Sequence, residues 1–190
     1  MKLNPVALKE WASVIDVLLE GDQILLMRKG GIEEETRRFE LKSRSFYLFP
    51  TYEHQRAHLI KDPYQSFVER SLSEFDAGAA HVKLTAYAEA TDDLEVRDFA
   101  QLELLYPYHM WTGNLAEERL KWKAKQPLHI LLLRVYKLEE PVLIEALPEY
   151  GGCRSWIELP ALKDDIRLNP VLSEESFEEK RVRIKSILGQ

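Results

Sequence analysis

The stretch from Val82 to Thr91 constrains the fold more than any other. Val82, Leu84, Ala86, Ala88 and Ala90 alternate with Lys83, Thr85, Tyr87, Glu89 and Thr91. That period of two is the signature of a half-buried strand. The apolar set is mostly small. Small inward residues suit a tightly curved sheet or a barrel wall, where bulky side chains would collide. Further apolar runs, Ile24–Arg28, Phe46–Phe49, Leu128–Leu138, Val142–Glu145 and Arg154–Leu159, read as strands at irregular intervals. No regular strand–helix rhythm appears, which argues against a doubly wound parallel sheet. The expectation is an α+β fold: a mixed, mostly antiparallel curled sheet with peripheral helices.

Helices are expected between these runs. Leu8, Trp11, Ile15 and Leu18 recur at i, i+3, i+7 and i+10, so a helix is expected from Pro5 to Glu20. Asn4 would cap it and Gly21 would stop it. Asp62-Pro63 opens a second, running through Asp76, with Tyr64, Phe67, Val68, Leu72 and Phe75 on one face. Asn114 caps a third, ending near Lys125. Ser173–Leu188 is a fourth: Glu174 and Glu175 at its start and Lys185 near its end complement the helix dipole. The 190 residues fit one domain, 1–190, with a C-terminal docking helix over about 173–188.

Composition excludes several classes. Cys153 is the one cysteine, so an internal disulfide and a cysteine-based zinc site are ruled out. No apolar run approaches the ~20 residues that cross a bilayer, and Met1–Pro5 lacks a secretory apolar run. A cytoplasmic protein with no membrane association is expected. The net charge of −6 opposes indiscriminate binding to polyanions.

Candidate site residues fall in three places. Arg28, Lys29, Gly30 and Gly31 combine two cations with a turn whose N–H groups can nest an anion; a plain hairpin turn is the alternative. Thr51, Glu53, His54 and Gln55 gather a hydroxyl, a carboxylate, an imidazole and an amide after a strand. They can line a polar pocket or move a proton, or simply start a capped helix. The run from Arg119 to Lys137 contains no acid. Within it Arg119, Lys121, Trp122, Lys123 and Lys125 offer cations for phosphate and a ring for stacking; a helix with its bases last is the alternative. His54 and His58 stand at i, i+4 without a third ligand, so no metal is expected, nor any other cofactor. Glu40-Leu41-Lys42, with Asp22 upstream, has the pattern of a metal-dependent nuclease strand, provided the three converge.

Two segments, ALKEWASVIDVLLEGDQILLMRKGGI (7–32) and FYLFPTYEHQ (46–55), resemble an uncharacterised bacterial domain-of-unknown-function family that shares both blocks. The resemblance implies no activity. By domain association it implies a restriction–modification neighbourhood, and hence a protein partner from such a system. VKLTAYAEATD, a helical insert and then ILLLRVYKLEEPVLIE are similar to the later strands of PUA-like barrels. That likeness implies a domain that reads RNA or modified DNA bases. The function expected is a binding module for nucleic acid or a modified nucleobase and not an enzyme. A metal-dependent nuclease and an interaction subunit docking through its tail helix are the alternatives.

Overall fold

A computed structural model describes residues 3–29, 39–122, 126–152, 154–163 and 165–190. Among these residues seven strands form one sheet: β1 (Val6–Trp11), β2 (Leu25–Arg28), β3 (Ser45–Thr51), β4 (His81–Val96), β5 (Leu128–Glu145), β6 (Trp156–Glu158) and β7 (Leu168–Pro170). Five α-helices accompany them among the described residues: α1 (Ala12–Leu19), α2 (Gln65–Ser73), α3 (Phe99–Leu104), α4 (Gly113–Lys121) and α5 (Glu174–Ile187). The strand order is β2-β5-β4-β3-β1-β6, with β7 also on β5. The β1–β3 pair is parallel and the other pairs are antiparallel. The fold is the expected α+β class with a mostly antiparallel sheet.

The sheet curls. In strand order β2 and β1 are four steps apart, yet the Arg28 guanidinium on β2 donates to the Lys9 carbonyl on β1 at 3.2 Å. Among the described residues no backbone ladder joins β2 to β1, and the Arg28 side chain bridges the gap. Alternation then sorts the residues into two cores. Leu8, Phe46, Leu48, Ala86, Ala88 and Trp156 face the inner core with α1 and α5. Their neighbours Ala7, Tyr47, Phe49, Tyr87 and Ile157 face a second core on the other side, under Leu138, Tyr150 and Leu159.

This arrangement corrects the reading of Val82–Thr91. Ala86, Ala88 and Ala90 line the inner wall as expected, but Leu84 joins the outer core because the ladder shifts register between Leu84 and Ala86. A bulge moves every later side chain to the opposite face. Tyr87 is buried, since the strand is covered on both sides.

The expected helix Pro5–Glu20 is also corrected. Its first half is β1, held between β3 and β6, and only Ala12–Leu19 is helical. The apolar spacing spans two elements: Leu8 is buried from a strand, Ile15 and Leu18 from a helix. Asn4 caps nothing; its amide bonds Ser43 Oγ at 2.7 Å. Gly21 does end α1, at φ 77°, a conformation that glycine adopts without strain. The runs Leu128–Leu138 and Val142–Glu145 are one strand, β5.

The tail helix forms as expected, with Ser173 Oγ accepting from the Ser176 N–H at 3.1 Å. Phe177, Ile184 and Leu188 are buried in this chain's own inner core. The face proposed to dock a partner therefore docks here. Among the described residues no helix is long and apolar enough to cross a membrane.

Candidate functional site

The curl brings a charged cluster to the end of β1. Glu10 lies two residues after Leu8, so period two points it to the inner face, where it is buried. A buried carboxylate needs donors and a counter-ion. The Trp11 N–H donates to its Oε1 at 2.9 Å, and Arg28 Nη1 lies 3.3 Å from its Oε2. The Arg28 guanidinium also sits 5.7 Å from the Phe39 ring centroid.

Helix α4 adds a second guanidinium. Arg119 donates to the Met27 carbonyl at 2.9 Å and stacks over Trp111 at 5.1 Å and Trp11 at 5.7 Å. Burial holds its pKa below the usual arginine value; Glu10 opposes that and the like charge of Arg28 adds to it. In return Lys29 donates to the Leu120 carbonyl at 2.5 Å, in the last turn of α4. A cation there meets the negative end of the helix dipole. Burial lowers the Lys29 pKa.

Thr51 completes the cluster. Its hydroxyl donates to the Glu10 carbonyl at 3.1 Å. Arg28 and Thr51 thus meet on one residue although β2 and β3 do not pair. Curling, rather than adjacency, brings them together.

The remaining expected residues are placed differently. Gln55 is buried, and its Oε1 accepts from the Ser13 N–H at 3.0 Å and the Ser13 hydroxyl at 2.7 Å. It caps α1 from outside, the role expected of Asn4. Glu53 and His54 are exposed, and His54 has φ 65°. Lys121 is exposed and paired with Glu117 at 2.5 Å. Trp122 is exposed. Arg134 is drawn away to α5, 3.0 Å from Glu174 and 5.1 Å from the Phe177 ring. The basic run is therefore divided among an inward Arg119, a paired Lys121 and a structural Arg134. Gly30, Gly31, Lys123 and Lys125 lie outside the described residues.

Glu40-Leu41-Lys42 is not on a strand. The Glu40 carbonyl accepts from Trp156 Nε1 at 2.9 Å, whereas Asp22 lies beside α5, its carbonyl 3.5 Å from Lys180 Nζ. Different elements hold these two acids.

Sequence reasoning missed Glu10 and the part played by Trp11. Leu8 and Glu10 on one strand face would have been the signal, but it requires knowing that Val6–Trp11 is a strand.

A family model matches residues 7–183. The chain belongs to the domain-of-unknown-function family DUF1802. The blocks at 7–32 and 46–55 of this DUF1802 domain supply β1, α1, β2 and β3, and with them Glu10, Arg28 and Thr51. No curated protein matches the chain. Among solved structures, the crystal structure of a mutant ZmASCH protein from Zymomonas mobilis is similar at a TM-score of 0.48 and 9% identity, over 97% of this chain and 99% of that one.

Proposed function

We propose that this domain binds nucleic acid or a modified nucleobase where β2 returns to β1. One observation carries the reading: Arg28 and Arg119 flank the buried carboxylate of Glu10, beside the half-buried indole of Trp11, while Lys29 adds a cation at the last turn of α4. The cluster holds more positive than negative charge within a chain of net charge −6. Surplus cations suit phosphate, and an indole suits a base face. The exposed Lys121 and Trp122, at the end of α4, extend the same chemistry outward. A PUA-like barrel is the architecture we assign to the curled sheet, on the strength of the β2-to-β1 side-chain bridge. Partnership with a restriction–modification system is part of the proposal, resting on the resemblance of the two N-terminal blocks. The domain acts as a cytoplasmic binding module, without catalysis of its own.

The test is a titration of labelled single-stranded, duplex, hairpin-RNA and base-modified oligonucleotides at ~50 mM and ~200 mM salt. Binding that weakens steeply with salt is expected, tightest for a structured RNA or a modified base. Trp11→Phe, which keeps an aromatic ring against Arg119, should weaken binding several-fold. Absence of binding to every oligonucleotide at the lower salt would sink the reading.

A further inference from the structure

We propose that the stacked rings of Tyr52 and Phe75, with the carboxylates beside them, dock an arginine-bearing segment of a partner protein. The two rings lie 4.4 Å apart and 20° from parallel, where the chain leaving β3 meets the end of α2. Phe75 is 45% exposed, and Leu72, three residues earlier, is 44% exposed. Single exposed apolar side chains are ordinary, but a continuous apolar surface rimmed by polar groups marks a contact site.

Charge decides the occupant. Asp16 and Glu20 stand one turn apart at the end of α1, and Glu74 follows α2. Burial raises the Asp16 pKa against the pull of Arg70, and the charges of Glu74 and Glu20 raise it further. Burial raises the Tyr52 pKa too, and the charges of Asp16 and Glu74 add to it. A carboxyl and a phenol on different elements thus feel one negative field. That field repels phosphates and attracts a cation. The surface therefore differs in chemistry from the cluster at Glu10, and its assignment does not rest on the nucleic-acid reading.

The chain itself shows how a guanidinium is held here. Arg70 lies 3.3 Å from Asp16 Oδ2, with its guanidinium 4.9 Å from the centroid of the Phe67 ring. One carboxylate meets its N–H groups and one aromatic face meets its plane. Glu74 and the Tyr52–Phe75 stack offer the same two partners. Among the described residues no cation of this chain lies over those two rings. Arginine fits better than lysine, because a planar guanidinium stacks on a ring while its donors reach a carboxylate.

Hexa-arginine, hexa-lysine and hexa-glutamate peptides test the idea on the intact chain, followed by amide NMR at ~50 mM salt, where screening is moderate. Hexa-arginine should give its largest shifts at residues 52 and 72–75 and bind about three-fold or more tightly than hexa-lysine. Hexa-glutamate should not bind. Glu74→Lys should weaken hexa-arginine about ten-fold by reversing the local charge. The residue is exposed and a cation suits a helix C-terminus, so the variant keeps its fold. Phe75→Leu, which stays apolar but loses the ring, should remove the preference for arginine over lysine. Largest shifts elsewhere, equal binding of the two basic peptides, affinity unmoved by Glu74→Lys, a preference that survives Phe75→Leu, or no hexa-arginine binding at millimolar concentration would each overturn the proposal.

Discussion

Glu10 and His109 are the two residues whose chemistry is most at odds with their surroundings, and each predicts a measurable cost. Glu10 is the buried partner of Arg28, and Arg119 lies close by. Removing one member of a buried pair leaves its counterpart uncompensated and costs ~3–5 kcal/mol. Glu10→Ala should lower the free energy of urea unfolding by about that much. The joint change Glu10→Leu with Arg28→Met should cost less than Glu10→Ala alone; a larger loss would mean the pair itself is a net source of stability. His109 predicts a pH effect. Its folded pKa, about 3, lies below the ordinary histidine value of 6.5. Between those values the unfolded chain binds a proton that the folded chain refuses, so stability falls as pH drops through the window. His109→Leu should flatten the decline of melting temperature between pH 7 and pH 4; an unchanged slope would assign the acid sensitivity elsewhere. His54 is a simpler case. At φ 65° it holds a left-handed conformation that burdens a side chain. His54→Gly should raise stability by roughly 0.5–1 kcal/mol in chemical denaturation, after the entropy that glycine brings to the unfolded chain.

Among the elements, α5 was the most legible and β1 the least. The tail helix carries a serine cap, acids first and a base last, all local signals that survive in the structure. Its docking partner was not visible in the sequence. Arg181 Nε reaches Asp92 Oδ2 at 2.5 Å and Lys185 Nζ reaches Oδ1 at 2.8 Å, across 89 and 93 residues. Burial raises the Asp92 pKa, but hydrogen bonds from Arg181, Lys185 and Thr91 outweigh it and hold the carboxyl at about 2. A depressed carboxyl stabilises the fold above its unfolded pKa of ~3.9, and that share is lost as pH falls towards 2. Asp92→Asn should therefore destabilise the chain at pH 7. The gap between variant and parent melting temperatures should narrow from about pH 4 downward and close near pH 2. A constant gap would show that the contact works by packing alone. The first element misleads for the opposite reason. Val6–Trp11 has a helical apolar spacing and no strand signal of its own, and its two ladders come from β3 and β6. Long-range pairing overrode local periodicity.

For the whole molecule, charge sets the expected behaviour of the proposed site. A chain of net charge −6 repels generic polyanions, so phosphate contacts must be local. Changing Lys121, Lys123 and Lys125 together to Ala should weaken oligonucleotide binding about equally across sequences and flatten its salt dependence. Unchanged affinity would exclude the basic run at 121–125 from the interface. Much of the architecture was determined by the sequence alone. Alternation gave β4, apolar runs gave β2, β3 and β5, a local cap gave α5, and irregular strand spacing ruled out a parallel doubly wound sheet; α4 forms where a helix was expected, but Thr112 caps it and Asn114 lies inside it. Those signals are local, carried by neighbours within a few residues, and survive any tertiary arrangement. Only the tertiary structure decided which residues meet. Whether Tyr87 is wet depends on the chain covering the outer face, whether Arg28 reaches Glu10 on the curl, and whether Gln55 caps α1 on where β3 ends. The sequence marked Arg28 and Thr51 as polar groups after strands. It could not show that the same glutamate joins them, because their meeting is a property of the sheet's curvature, summed over strands far apart in the chain.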